Sequence, residues 1–235
     1  MKITLSFEKT STTDVSIMVD ALRASSSIVL GLNNFKEIIP CFTPEEAFKL
    51  GEEYNAILAG EREGIKIKGF DIGNSPKAIE TYKIPPEKKD TLILTTSNGT
   101  RILKDMKSTV LVGSIVNAEA VGKKSVEIAE NEIDVVMAGY KGNFALEDFL
   151  ASGEIIYWIE KELADNSIEF EISDFAKAAI LASRDYENVK KAFYNCNSGR
   201  KLKKLNSEDD VTYCVQKNIS DNVAIYKNGK LKVFK

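Results

Sequence analysis

Two short apolar runs, Val15-Ser16-Ile17-Met18-Val19 and Leu92-Ile93-Leu94, each break directly into a polar turn. The first turn reads Asp20-Ala21-Leu22-Arg23-Ala24-Ser25-Ser26-Ser27, the second Thr95-Thr96-Ser97-Asn98-Gly99-Thr100-Arg101. Such a junction, placed between a buried strand and a helix, offers free backbone N–H groups and the positive end of a helix dipole to an anion. Building it twice with the same chemistry constrains the chain to an α/β plan with related halves.

The rest of the pattern agrees. Strands are predicted near residues 2–7, 15–20, 37–41 and 56–60, and again at 92–96, 109–113 and 133–138. Thr43-Pro44-Glu45-Glu46 is a capping box that starts a helix running to Tyr54, and Ser75-Pro76 starts another. A short helix is expected over 99–106, one from Asn117 to about Glu130, and a long amphipathic one entered through Phe144–Asp148. Ile17-Met18-Val19 matches Leu92-Ile93-Leu94, Pro44–Ala47 matches Asn117–Ala120, and Leu58-Ala59-Gly60 matches Met137-Ala138-Gly139. Phe70-Asp71 answers Glu147-Asp148. The expectation is one domain over 1–235 with a three-layer α/β/α fold. It holds two interwoven, duplicated strand–helix repeats at roughly 15–75 and 90–150, then carboxyl-terminal helices and a hairpin over 151–235. The hairpin is signalled by Asn228-Gly229 between apolar runs. Equivalent loops should converge on one polar cleft, since the carboxyl ends of parallel strands gather at one sheet edge.

Composition removes whole classes of function. A net charge of −3 argues against nucleic-acid binding, and no apolar run approaches the ~20 residues of a membrane span. Three scattered cysteines (Cys41, Cys196, Cys214) do not make a disulfide framework, and the expected location is cytoplasmic. The chain holds no histidine, which excludes histidine acid–base chemistry and histidine metal ligands. It has five arginines against 27 lysines, and Arg23, Arg62 and Arg101 all fall in turns after predicted strands. A planar guanidinium grips phosphate or carboxylate at two points.

Familiar phosphate chemistries fail on spacing. There is no P-loop, and Gly60 and Gly64 make no dinucleotide fingerprint. Cys196 and Arg200 are wrongly spaced for a cysteine phosphatase, and Leu22 stands where an aspartyl nucleophile at Asp20 would want a second aspartate. What remains is a set of loop carboxylates, Asp20, Glu61, Asp71, Glu147 and Asp148, beside Arg23, Arg62, Asn98, Thr100 and Arg101. Hard oxygen donors of this kind suit Mg²⁺ bound with a substrate phosphate.

Five segments in order carry a resemblance across nearly the whole chain. They are Val19–Ser25, Gly60-Glu61-Arg62, Gly69-Phe70-Asp71-Ile72-Gly73-Asn74-Ser75-Pro76, Thr95–Arg101, and Ala138-Gly139 through Phe144–Asp148. Together they resemble the 2-phosphosulfolactate phosphatase (ComB) family, and Glu208-Asp209-Asp210 with Cys214 resembles its carboxyl-terminal segment. Glu63 departs from the resemblance where glycine is expected, and Ser97 replaces a threonine-like position. The resemblance implies a Mg²⁺-dependent phosphatase that converts 2-phospho-3-sulfolactate to sulfolactate in coenzyme M biosynthesis. Other readings are a non-catalytic anion-binding module and a phosphatase for another small phospho-acid. The expected partner is a small anionic phosphorylated substrate, with no nucleic acid and no membrane; homodimerisation is left open.

On that reading phosphate sits on Asn98, Gly99, Thr100 and Arg101, with Arg101 stabilising transition-state charge. Arg23 and Arg62 are the candidates for sulfonate and carboxylate, joined by Ser25, Asn74 and Lys141. Asp71 and Glu61 are the first-choice Mg²⁺ ligands and Asp148 the next. Catalysis is assigned to Asp20, Arg101 and Asp71. Asp20 is either a metal ligand or the nucleophile, and a metal-bound water is an equal alternative.

Overall fold

Every residue of the Val15–Val19 strand is buried, as is every residue of Thr91–Thr95, so both need a protein layer on each face. The computed structural model of the chain describes residues 1–96, 102–103 and 106–234. Strands β1 (Lys2–Phe7) and β2 (Val15–Val19) lead into α1 (Ala24–Gly31), β3 (Glu37–Cys41), α2 (Pro44–Tyr54) and β4 (Ile57–Arg62). The stretch after β4 holds a two-residue strand, β5 (Ile65–Lys66), and a short helix, α3 (Pro76–Glu80). Then follow β6 (Thr91–Thr95), β7 (Thr109–Gly113), α4 (Ala118–Ile128), β8 (Glu132–Met137) and α5 (Leu146–Asp165). The chain ends with β9 (Glu171–Ile172), α6 (Asp174–Ser183), α7 (Tyr186–Asn195), α8 (Asn197–Lys204), α9 (Glu208–Cys214), β10 (Ala224–Lys227) and β11 (Lys230–Val233).

Among the described residues eleven strands form one sheet, in the order β5-β4-β6-β3-β11-β10-β7-β2-β8-β1-β9. Its two halves are each parallel, β4-β6-β3 and β7-β2-β8-β1-β9. The antiparallel β10–β11 hairpin joins them. The repeats interweave in the strand order. β2, from the first repeat, lies between β7 and β8 of the second, while β6, from the second, lies between β3 and β4 of the first.

Alternation along the strands sorts the side chains into layers. Met18, Val112, Val136, Ile38, Leu92 and Ile57 share one core with Ile28, Val29 and Leu30 of α1 and Ile79 of α3. On the opposite face, Ile17, Leu111 and Val135 pack against α4 and α5 through Val121, Ile155 and Ile159. Ile39, Leu58 and Ile93 meet Ala47 of α2 on that side. This is the three-layer α/β/α arrangement. No helix among the described residues is long and apolar enough to cross a membrane.

Local signals resolve mostly as read. Thr43 Oγ1 accepts the Glu46 N–H at the start of α2, and the Glu46 carboxylate accepts the Phe42 N–H. Asn117 is the N-cap of α4, as expected, but its side chain turns back to accept the Ser114 N–H, and a 3₁₀ turn over Ile115–Asn117, itself capped at Ser114, precedes the helix. The strand expected to end at residue 60 runs to Arg62, because β5 pairs back onto Glu61 and Arg62. Of the helix expected over 99–106, only Ile102, Leu103 and Met106 lie within the described residues; Ile102 and Leu103 are helical and buried.

Helix α5 crosses α6 so closely that a Cβ at Gly153 would lie 2.0 Å from the Ala179 carbonyl oxygen. Backbone cannot yield there as a flexible side chain does. Gly153→Ala is therefore expected to lower the unfolding free energy by about 1–3 kcal/mol, read from the urea midpoint. An unchanged midpoint would mean the two helices part freely.

Candidate active site

One cleft gathers the carboxyl ends of four strands drawn from both repeats. Asp20 follows β2, Glu61 lies near the end of β4, Thr96 follows β6, and Tyr140 and Lys141 follow β8; all line the cleft. The two half-sheets run antiparallel through the hairpin, so accumulated strand twist, roughly 20° per strand, is needed to bring these ends together. Arg23, Glu63, Gly64, Asn74, Ser198 and Lys201 complete the polar lining.

Asp20 is held at the start of α1. Its backbone N–H donates to Ser25 Oγ (2.7 Å), and its Oδ1 accepts the Ala24 N–H (3.3 Å). Ser25 is itself fully buried and does not reach the cleft; it positions Asp20. Asp148, in the first turn of α5, is buried directly behind. Its Oδ1 accepts the Ala21 N–H (2.8 Å) and its Oδ2 the Gly139 N–H (3.0 Å). One carboxylate thus ties the turn after β2 to the turn after β8. Burial, then the neighbouring Asp20 and Glu147 carboxylates, push the Asp148 pKa well above the usual range, so its charge is disfavoured in the fold.

Arg23 is buried in an ion pair with Asp210 of α9, and it also donates to the Gly64 carbonyl (3.4 Å). Asp210 in turn accepts the Ser75 hydroxyl (2.6 Å), so this side of the cleft is a closed network. Glu61 is buried and accepts the Gly64 N–H (2.5 Å). Asn74, 4% exposed, has no hydrogen-bond partner for its buried Oδ1 among the described residues. At the mouth, Lys141 and Lys201 each lie 2.7 Å from a different oxygen of Glu63. These two lysines pull the Glu63 pKa down to about 2. Partial burial would lower the Lys201 pKa, but hydrogen bonds to Glu63 and Tyr140 outweigh it and raise it.

The structure brings together Asp20, Arg23, Glu61, Asn74 and Lys141, five residues singled out from the sequence. It places others elsewhere. The Arg62 guanidinium donates to the carbonyls of Phe42 and Glu61 and to Thr95 Oγ1, bracing the β4–β6 edge. Asp71 is exposed in a separate groove with Glu52 and Lys88, where its Oδ2 accepts the Leu58 N–H (2.8 Å). Asp148 is used up on two backbone amides and does not line the cleft. Asn98, Gly99, Thr100 and Arg101 lie outside the described residues. Sequence reasoning did not find Tyr140, Ser198, Lys201 or the lysine-bridging role of Glu63. Lys201 sits among lysines at the end of a basic helix, 138 residues from Glu63, and no local pattern marks it.

Oxygen donors dominate the inner cleft: the carboxylates of Asp20 and Glu61 and the orphaned amide oxygen of Asn74. Among the described residues, no three Asp, Glu or Cys side chains converge as a ready-made metal cage. Mg²⁺ does not need one, since it keeps waters and binds through one or two carboxylates together with substrate phosphate. The donor set fits such an ion.

A three-layer α/β fold whose polar cleft is lined by carboxylates, an arginine and two lysines narrows the class to proteins that act on small charged ligands. The 2-phosphosulpholactate phosphatase family model matches residues 2–229, and the chain belongs to that family. It is 41% identical to a 2-phosphosulfolactate phosphatase of Methanothermobacter thermautotrophicus, over 99% of this chain and 96% of the relative. Probable 2-phosphosulfolactate phosphatases of Clostridium acetobutylicum and Clostridium beijerinckii are 38% and 36% identical; each match covers 92% of this chain, with 91% and 90% of the respective relatives.

Removing one partner of a buried ion pair strands the other charge. Asp210→Asn is expected to destabilise the fold by about 3–5 kcal/mol in urea unfolding, and Arg23→Met with Asp210→Leu to recover part of that loss. Equal loss in both variants would mean that packing at these positions, and not the stranded charge, dominates.

Proposed function

We propose that this chain hydrolyses the phosphate monoester of 2-phospho-3-sulfolactate to sulfolactate and inorganic phosphate, with Mg²⁺, as a step of coenzyme M biosynthesis. The observation that carries the reading is the cleft itself: buried oxygen donors inside, two lysines at the mouth, in a chain of this family. A substrate bearing phosphate, carboxylate and sulfonate needs both features.

Asp20, Glu61 and the free Oδ1 of Asn74 would hold the ion. When bound, Mg²⁺ would neutralise repulsion between these carboxylates and the phosphate and polarise the phosphorus–oxygen bonds. Ser25 Oγ holds the Asp20 backbone N–H and the Ala24 N–H holds the Asp20 carboxylate, which fixes this residue at the end of β2. Arg23 has its charge matched by Asp210 and acts mainly to shape the floor. Lys141 and Lys201 take the remaining acidic groups, and the phosphate is assigned to residues Asn98–Arg101, which follow Thr96 in the sequence. Histidine being absent, proton movement at the leaving oxygen falls to carboxyl groups or water.

The test is phosphate release from 2-phosphosulfolactate and from 2-phospholactate, with and without EDTA. Release from the first substrate should be faster and should vanish with EDTA. Asp20→Asn should lower kcat by roughly 100-fold or more, while Asp71→Asn should change it by less than about threefold, since Asp71 faces another groove. No release from either substrate would leave an anion-binding module. Faster release from phospholactate would reassign the substrate, and EDTA-resistant turnover would remove the metal.

A further inference from the structure

The turn between β4 and β5 has only two residues, Glu63 and Gly64, and both have positive φ, 53° and 84°. Such a turn favours Asn-Gly or Gly-Gly, and a glutamate at its first position sits in backbone space that side chains with a Cβ rarely occupy. The glutamate is nevertheless there, and its side chain is fully engaged. Oε1 lies 2.7 Å from Lys141 Nζ and Oε2 lies 2.7 Å from Lys201 Nζ. Both ammonium groups also rest over the Tyr140 ring, at 5.6 and 5.5 Å from its centroid, and Lys201 donates to the Tyr140 hydroxyl (3.3 Å). Lys141 comes from the loop after β8 and Lys201 from α8, so Glu63 closes a bridge across the mouth between three distant parts of the chain.

A planar carboxylate held end-on by two ammonium groups is the contact that an acidic group of a small ligand would make. We infer that the Lys141–Lys201–Tyr140 pocket is the subsite for the substrate's carboxylate or sulfonate, and that Glu63 is a built-in competitor which this group displaces. The inference rests on the function proposed above and adds to it a residue that sets how much negative charge a ligand must carry. A singly charged ligand gains little by exchanging with Glu63. A ligand whose other acidic groups are anchored deeper in the cleft presents its last one at high effective concentration and wins the lysines. Opening needs no core rearrangement, because Glu63 is exposed and stands at the tip of a two-residue hairpin.

The binding-competent fraction sets the scale. If Glu63 occupies the lysines nine-tenths of the time, removing its charge raises apparent affinity about tenfold. Glu63→Gln keeps the length and removes the charge; Glu63→Gly also relieves the backbone. In both variants KM for 2-phosphosulfolactate is expected to fall about tenfold relative to the parent. Lys201→Met should raise KM, and in Glu63→Gln with Lys201→Met the gain from Glu63→Gln should vanish. Calorimetric binding of sulfolactate to the same proteins reads the subsite without turnover, so it stands even if the parent hydrolyses nothing. Tighter sulfolactate binding in Glu63→Gln would then support the subsite while the phosphatase reading fails. If KM and sulfolactate affinity are unchanged or worse in Glu63→Gln and Glu63→Gly, or if the gain persists without Lys201, the inference is overturned.

Discussion

The cleft depends on one buried carboxylate. Asp148 takes the Ala21 amide of the turn after β2 and the Gly139 amide of the turn after β8, and these strands are neighbours only because β2 has crossed into the other repeat. Two N–H bonds would favour its charged form, while burial and the nearby Asp20 and Glu147 disfavour it more strongly. The group is retained against that penalty because removing it would leave two buried N–H donors without partners, each costing about 1–3 kcal/mol. Asp20 and Lys141 therefore sit on turns whose relative position is set by hydrogen bonds and not by loop packing alone.

Charge in the cleft is nearly cancelled among the described residues. Arg23 is matched by Asp210, and Lys141 and Lys201 share Glu63, while the carboxylates of Asp20 and Glu61 line the inner end. An anionic ligand gains little from such a field until something shifts the balance. A divalent ion at the inner carboxylates and displacement of Glu63 at the mouth would each do so, which is the physical link between the proposed cofactor and the proposed subsite.

Much of the fold was legible because it is local. Fully apolar strands, a capping box at Thr43 and an Asn228-Gly229 turn with φ of 52° and 78° each follow from short-range chemistry. That the hairpin joins the two half-sheets was not legible, since nothing in β10 or β11 names its partners. Asp20 and Glu61 were legible as polar residues at or after strand ends, and Asn74 through the Gly69–Pro76 segment that carries the family resemblance. Arg62 and Asp71 lie outside this cleft, and their residue types alone do not say so: a guanidinium satisfies carbonyls as readily as phosphate, and a turn aspartate caps a backbone amide as readily as it binds a metal. Lys201 was invisible because its meaning depends on a contact with Glu63 made across the chain.

The claim that one carboxylate joins both repeats into a single site is tested most directly by amide hydrogen exchange in Asp148→Asn. An asparagine there has one carbonyl oxygen to offer two N–H donors. The account predicts that the Ala21 and Gly139 amides lose protection together, while amides within β2 and β8 such as Ile17 and Val135 keep theirs. Unchanged protection at Ala21 and Gly139, or loss at one of them alone, would contradict it.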